Sequence, residues 1–214
     1  MKKVSLILTL LFSCSCIVHA QTKYPKVTIG KQVWMTENLN VDKFRNGDPI
    51  PHAKTDEEWV KARENGQPAW CYYDHRAVQN DSANGDKYGK LYNWYAVNDP
   101  RSLAPKGWHI PTDDEWTVLT NFLGGYEVDK KMKSTSGWEY NLNGNNSNGF
   151  SGLPGGYRDC SGTFTQIGGD GNWWSSAEYG TYDAWYRNLF AAHDYVYRNY
   201  CNKGNGFSVR CLRD

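Results

Sequence analysis

The chain has 214 residues, with 24 Lys and Arg against 23 Asp and Glu, and it carries 10 Trp, 15 Tyr and 21 Gly. A net charge of +1 gives no field for gathering nucleic acid or an anionic membrane, and the length suits one domain with a sizeable core. Many large rings and few aliphatic runs point to short strands and ordered loops packed around aromatics, with Gly supplying the tight turns.

The first twenty residues read as a secretory signal peptide. Lys2 and Lys3 make a positive start, Val4 to Phe12 is almost wholly apolar, and Val18-His19-Ala20 offers a cleavage site before Gln21. A second reading is lipoprotein processing with a lipid anchor at Cys14, within Leu11-Phe12-Ser13-Cys14, where Phe12 is bulky for that motif. Both readings export the chain. No later stretch suits a transmembrane helix, so the expected layout is a signal peptide over 1–20 and one domain over 21–214. Cleavage removes Lys2 and Lys3, takes the charge to −1, and leaves Cys71, Cys160, Cys201 and Cys211. An even number in an exported chain favours disulfides, and the absence of any Cys-x-x-Cys argues against structural zinc. Four cysteines allow three pairings.

"KVTIGKQVWMTENLNV" predicts a hairpin turning at Gly30-Lys31, with Val27, Ile29, Val33 and Met35 sharing the alternating apolar pattern. Within the polar stretch 42–70, Thr55 caps a short helix whose first turn is Asp56, Glu57 and Glu58, with Gly66 after its end. "PAWCYYD" reads as a buried strand carrying Cys71. "KLYNWYAVN" supports helix or strand. The clearest helix is "PTDDEWTVLTNFLGG": Thr112 and Glu115 form a capping box, Trp116, Leu119, Phe122 and Leu123 one stripe, and Gly124-Gly125 the stop. Beyond about residue 135 the chain is strand-like, with a hairpin over Ala184 to Cys201 and a last strand, "GFSVRCL", that sets Phe207, Val209 and Cys211 opposite Ser208 and Arg210. Helices first and strands after indicate an α+β architecture.

Catalytic constellations are thin. No Gly-x-Ser-x-Gly elbow is present, and Asp56, Glu57 and Glu58 are accounted for by a solvated helical turn. In "DHRAVQNDSANGDKYGK", Asp74, Asp81, Asn84 and Asp86 bring hard oxygens together in a Gly-bent loop, a candidate Ca²⁺ site without EF-hand spacing; Asx turns that bond to themselves explain the same residues. Trp173 and Trp174, with Trp185 and Tyr186, form a candidate stacking platform for a glycan, because adjacent residues of a strand face opposite sides.

Seven blocks taken together, "QVWMTENLN", "AWCYYD", "GKLYNWYAV", "APKGWHIPTDDEW", "FSGLPGGYRD", "WWSS" and "GFSVRCLRD", resemble the Fibrobacter succinogenes major paralogous domain over roughly Val27 to Asp214. That family is similar to the formylglycine-generating enzyme and sulfatase-modifying-factor group, so the resemblance implies a variant of the C-type lectin fold. It implies no activity. A copper-dependent oxidase of that group holds its metal with two cysteines five positions apart; Cys201 falls near the second position, and Val196, five residues back, cannot ligate copper. Nor does "QPA" at 67–69 complete the triplet of calcium-dependent lectins. Cys71 and Cys211 match positions where the resembling family usually has cysteine, which leaves Cys160 and Cys201 to each other. The expected bridges are therefore Cys71–Cys211 and Cys160–Cys201, closing loops of about 140 and 40 residues and stabilising by roughly 4–5 kcal/mol each.

The expectation is a non-catalytic secreted or cell-surface module for binding or assembly, with a glycan or protein partner. The alternatives are a secreted enzyme of the sulfatase-modifying-factor type and a purely structural surface component. No cofactor other than Ca²⁺ is expected.

Overall fold

The computed structural model describes residues 24–74, 82–124 and 128–214. β1 (Lys26–Ile29) and β2 (Gln32–Met35) form the expected hairpin, with Gly30 supplying the left-handed φ of 61° that the turn requires. Its two-residue loop pairs Ile29 with Gln32 and Val27 with Trp34, so odd positions of β1 share a face with even positions of β2. This corrects the expected apolar face. Trp34, not Met35, joins Ile29, and Met35 packs in a different part of the core.

α1 (Asp56–Glu64) starts at the predicted box, where Thr55 Oγ1 accepts from Glu58 N at 3.1 Å and Glu58 Oε2 accepts from Thr55 N at 3.2 Å. β3 (Trp70–Cys71), α2 (Ser82–Tyr88), β4 (Leu91–Tyr92) and α3 (Trp94–Val97) follow. Both readings of "KLYNWYAVN" hold in succession: two residues pair with β3, then Asn93 Oδ1 accepts from Ala96 N at 3.1 Å and caps a single helical turn. After β5 (Trp108–His109), α4 (Asp113–Leu123) carries its capping box and ends at Gly124, φ 97°. Trp116, Leu119 and Leu123 are buried. Phe122 is 63% exposed instead of completing the stripe, because its ring lies over Gly30, where a Cβ would meet it at 3.0 Å.

α5 (Val128–Met132) precedes β6 (Gly155–Arg158), β7 (Phe164–Ile167), β8 (Asp170–Glu178), β9 (Asp183–Phe190), β10 (Tyr197–Asn202) and β11 (Leu212–Arg213). Among the described residues the strands make a four-stranded sheet β1-β2-β11-β5, a five-stranded sheet β10-β9-β8-β6-β7, and the β3-β4 pair. The β9–β10 hairpin has the expected span, with Cys201 opposite Ala184. Only Leu212 and Arg213 of the last segment complete a ladder, yet the alternation before them holds: Phe207, Val209 and Cys211 enter one core cluster while Arg210 points the other way. The architecture is α+β. No helix among the described residues is long and apolar enough to cross a membrane.

Tryptophans dominate the core. Trp34 and Trp116, with ring centroids 4.7 Å apart, pack with Phe150 and Trp173 beneath α4. Trp174, Phe207, Trp70 and Trp94 fill a second cluster, and Trp59, Cys71 and Tyr73 a third under α1.

Candidate functional site

The segment Thr36–Asp42 leaves β2 and belongs to no sheet. Its inward residues are tied by their backbone. Leu39 N donates to the Val209 carbonyl at 2.8 Å, and the Leu39 carbonyl accepts from Lys90 N at 3.3 Å. The Tyr92 hydroxyl accepts from Val41 N at 2.8 Å and donates to Val41 O at 2.7 Å. Asn38 and Asn40, between them, are tied by their side chains. Asn38 Oδ1 accepts from Arg210 Nη2 at 2.7 Å, Arg210 Nε at 3.1 Å and Trp173 Nε1 at 2.8 Å, and its Nδ2 donates to the Tyr88 carbonyl at 2.9 Å. Asn40 Oδ1 accepts from Lys90 Nζ at 2.6 Å, and its Nδ2 donates to the Gly85 carbonyl at 3.2 Å. Asn38, Leu39, Asn40 and Val41, with these partners, thus make one fixed wall.

 

Arg210 is the centre of that wall. It is fully buried, has no carboxylate partner among the described residues, and spends Nη1 on the Met35 carbonyl at 3.2 Å and on the Phe150 carbonyl. Its guanidinium also lies 4.4 Å from the Phe150 ring centroid. Burial lowers its pKa to about 9, with the charge of Glu37 opposing, so the group stays a cation at neutral pH.

Two clefts open along the outer side of the wall and share Glu37, Asn38 and Asn40. The larger, about 610 Å³, has Met35, Leu39, Phe44 and Leu103 as an apolar floor and, besides the shared Glu37, has Asp42, Lys43, Arg45 and Lys106 as charges. The smaller, about 350 Å³, adds Thr36, Asp86, Lys87 and Ser151. The carboxylates of Glu37, Asp42 and Asp86 make no hydrogen bond or ion pair among the described residues, although the Glu37 charge acts on Arg210. A concave, partly apolar surface with a few fixed polar groups is the usual form of a ligand site. A third hollow of about 460 Å³ is lined in part by His109, whose Nδ1 meets Asp214 Oδ1 at 2.8 Å and whose Nε2 meets Glu115 Oε1 at 2.9 Å. Burial pulls the His109 pKa down, but the two carboxylates outweigh it and the net shift is upward.

The residues singled out in the sequence lie elsewhere. All four cysteines are unbonded. The Cys71–Cys211 bridge is corrected by strand alternation: Trp70 enters the cluster that holds Cys211, so its neighbour Cys71 faces the third cluster instead. Burial pushes both thiols up to about 12, which keeps them protonated. Cys160 and Cys201 are half-buried; burial raises the Cys201 thiol, the nearby Cys160 adds to the rise, and Cys201 Sγ accepts from Asn205 Nδ2 at 2.9 Å.

The expected platform is corrected too. Trp173 and Trp174 are 1% and 0% exposed, because β8 lies inside its sheet and each face of it meets a core cluster. Tyr186 packs on Phe207 at 4.7 Å. Trp185 is half-buried, edge-on to Tyr179 and Tyr200 and covered by the Arg198 guanidinium at 3.5 Å. Of the proposed calcium ligands, Asp81 lies outside the described residues, Asn84 Nδ2 donates to the Tyr73 carbonyl at 3.0 Å, Asp74 has φ 45°, and Asp86 lines the smaller cleft. Among the described residues no three His, Cys, Asp or Glu side chains are grouped to hold a metal.

Sequence reasoning passed over the wall. The signal was there in Asn38-Leu39-Asn40, two amides around a buried aliphatic, and in an Arg set between Val209 and Cys211 of an apolar strand, which must find acceptors inside.

Residues 27–213 match the family described as Fibrobacter succinogenes major domain. No curated protein and no solved structure matches the chain.

Proposed function

This chain belongs to the Fibrobacter succinogenes major domain family, and from that premise we propose that it is a non-catalytic binding module whose ligand lies along the Glu37–Asp42 wall. The observation that supports this reading is a wall held rigid from behind while three neighbouring carboxylates, Glu37, Asp42 and Asp86, make no ion pair among the described residues. A ligand meeting such a surface has little ordering left to do, which conserves affinity. The module is exported by the segment over residues 1–20, and short strands with long ordered loops suit the lectin-like scaffold that its resemblance to the sulfatase-modifying-factor group implies. Outside the cell an oxidant of the disulfide-forming class takes two electrons and two protons from Cys160 and Cys201 and joins their sulfurs.

The test is a binding screen of the exported chain on glycan and protein arrays, run beside a Glu37→Lys, Asp86→Lys double variant that circular dichroism shows to be folded. Ligands retained by the native chain and lost by the variant are expected. Binding indifferent to the substitutions, or none at all, overturns the cleft assignment. Tight, stoichiometric Cu(I) uptake by reduced protein, with oxygen consumption, overturns the non-catalytic reading. Non-reducing peptide mapping that finds free thiols at Cys160 and Cys201 removes the crosslink.

A further inference from the structure

We propose that the occupant of the wall is an extended polypeptide segment from a partner protein, bound by its backbone and carrying a basic side chain. This rests on the binding-module reading and adds the ligand's chemistry. The argument is an accounting of peptide groups. Leu39 and Val41 direct N–H and C=O inward, to Val209, Lys90 and the Tyr92 hydroxyl. In an extended chain the peptide groups of alternate residues point to opposite sides. Those of Asn38 and Asn40 make no hydrogen bond among the described residues, and the Asn38 carbonyl lies beside Gly89, which also lines the smaller cleft. Asn38 and Asn40 line both clefts. An unpaired strand-like edge with a recess beside it is the geometry on which a peptide adds as a further strand.

The side chains argue against a sugar. Recognition of vicinal hydroxyls needs free amides or an open ring face. Here Asn38 and Asn40 have spent their amides on protein partners, and Arg101 lies over the Phe44 ring at 4.1 Å. What remains free is backbone and carboxylate. In the smaller cleft Glu37 and Asp86 make no ion pair among the described residues, while the Lys87 ammonium sits 4.7 Å from the Tyr88 ring centroid. That recess is complementary to a cation, and the apolar floor of the larger cleft takes an aliphatic or aromatic neighbour.

A randomised octapeptide library on phage, selected on the full exported chain, tests this. Selected sequences should combine a basic and an apolar residue. Resynthesised with single N-methyl groups, a selected peptide should lose about tenfold in affinity at alternate positions and little at the positions between, the signature of strand pairing. Glu37→Lys should weaken it by about tenfold or more, since a hydrogen bond to a charged group is lost and a repulsion gained. Selected peptides that tolerate methylation at every position, or show no basic residue, overturn the proposal. If no peptide is selected while a glycan binds and is lost with Glu37→Lys, the cleft reading stands and the peptide falls. If peptides and glycans bind but ignore Glu37→Lys, or neither binds, both readings fall.

Discussion

Two buried arginines hold this domain together by different chemistry. Arg187 meets a carboxylate: Nη1 donates to Asp113 Oδ1 at 2.6 Å and Nη2 to the Thr117 hydroxyl at 2.9 Å, while Arg198 Nε takes the other Asp113 oxygen at 2.8 Å. That acid is the first residue of α4, so one anion sits favourably at the helix N-terminus and fastens it to the β9–β10 hairpin. Arg210 has only carbonyls and Asn38. The first arrangement consumes its acid in the fold. The second is assembled without an ion pair, and Glu37 and Asp86 make none among the described residues. The contrast separates a joint that spends a carboxylate from one that is closed by neutral acceptors alone.

The largest effect should come from Asp113→Ala, which strands Arg187 as an uncompensated buried cation. A loss of roughly 3–5 kcal/mol is expected, read from urea unfolding. Arg210→Met removes the charge together with its desolvation cost but leaves Asn38 Oδ1 and two carbonyls short of donors; roughly 2–4 kcal/mol should be lost, with ligand affinity falling as the wall loosens. If Arg210→Met proves the costlier of the two, the distinction drawn between them is wrong. His109 should give a smaller, pH-dependent effect. Its folded pKa lies above the ordinary 6.5, so its contribution is complete below 6.5 and is lost as pH rises through the folded value. Glu115 works in the opposite sense: although burial opposes, hydrogen bonds from Thr112 and His109 bring its pKa below the ordinary 4.5, so its contribution is complete above 4.5 and is lost as pH falls through the folded value. The Glu115–His109–Asp214 cluster is thus strongest between those limits, and because all three side chains are partly solvated, His109→Gln should cost about 1 kcal/mol or less there and nothing at pH 9. Glu37→Lys should leave stability within about 0.5 kcal/mol while abolishing ligand capture.

Local chemistry was the legible part of the sequence. Thr55, Glu58, Thr112 and Glu115 cap where their side chains predict, because a capping box is closed within four residues. The hairpin of β9 and β10 was legible because its two strands are neighbours in the chain and carry their own aromatic pattern. Failures began where a distant partner decides. Nothing near Trp173 or Trp174 announces that both sides of β8 are covered, and Val33 and Met35 changed faces through the parity of a two-residue loop. The wall was least legible of all, since the acceptors that fix Arg210 come from residues 35, 38 and 150.

Chain order gives β11 a further role. It inserts between β2 and β5, and the stretch just before it carries Arg210, so the segment that locks the wall is synthesised after every group it locks. A nascent chain can close its hairpins and helices as they emerge, yet the contacts of Arg210 to Met35, Asn38 and Phe150 cannot form until residue 210 has been made.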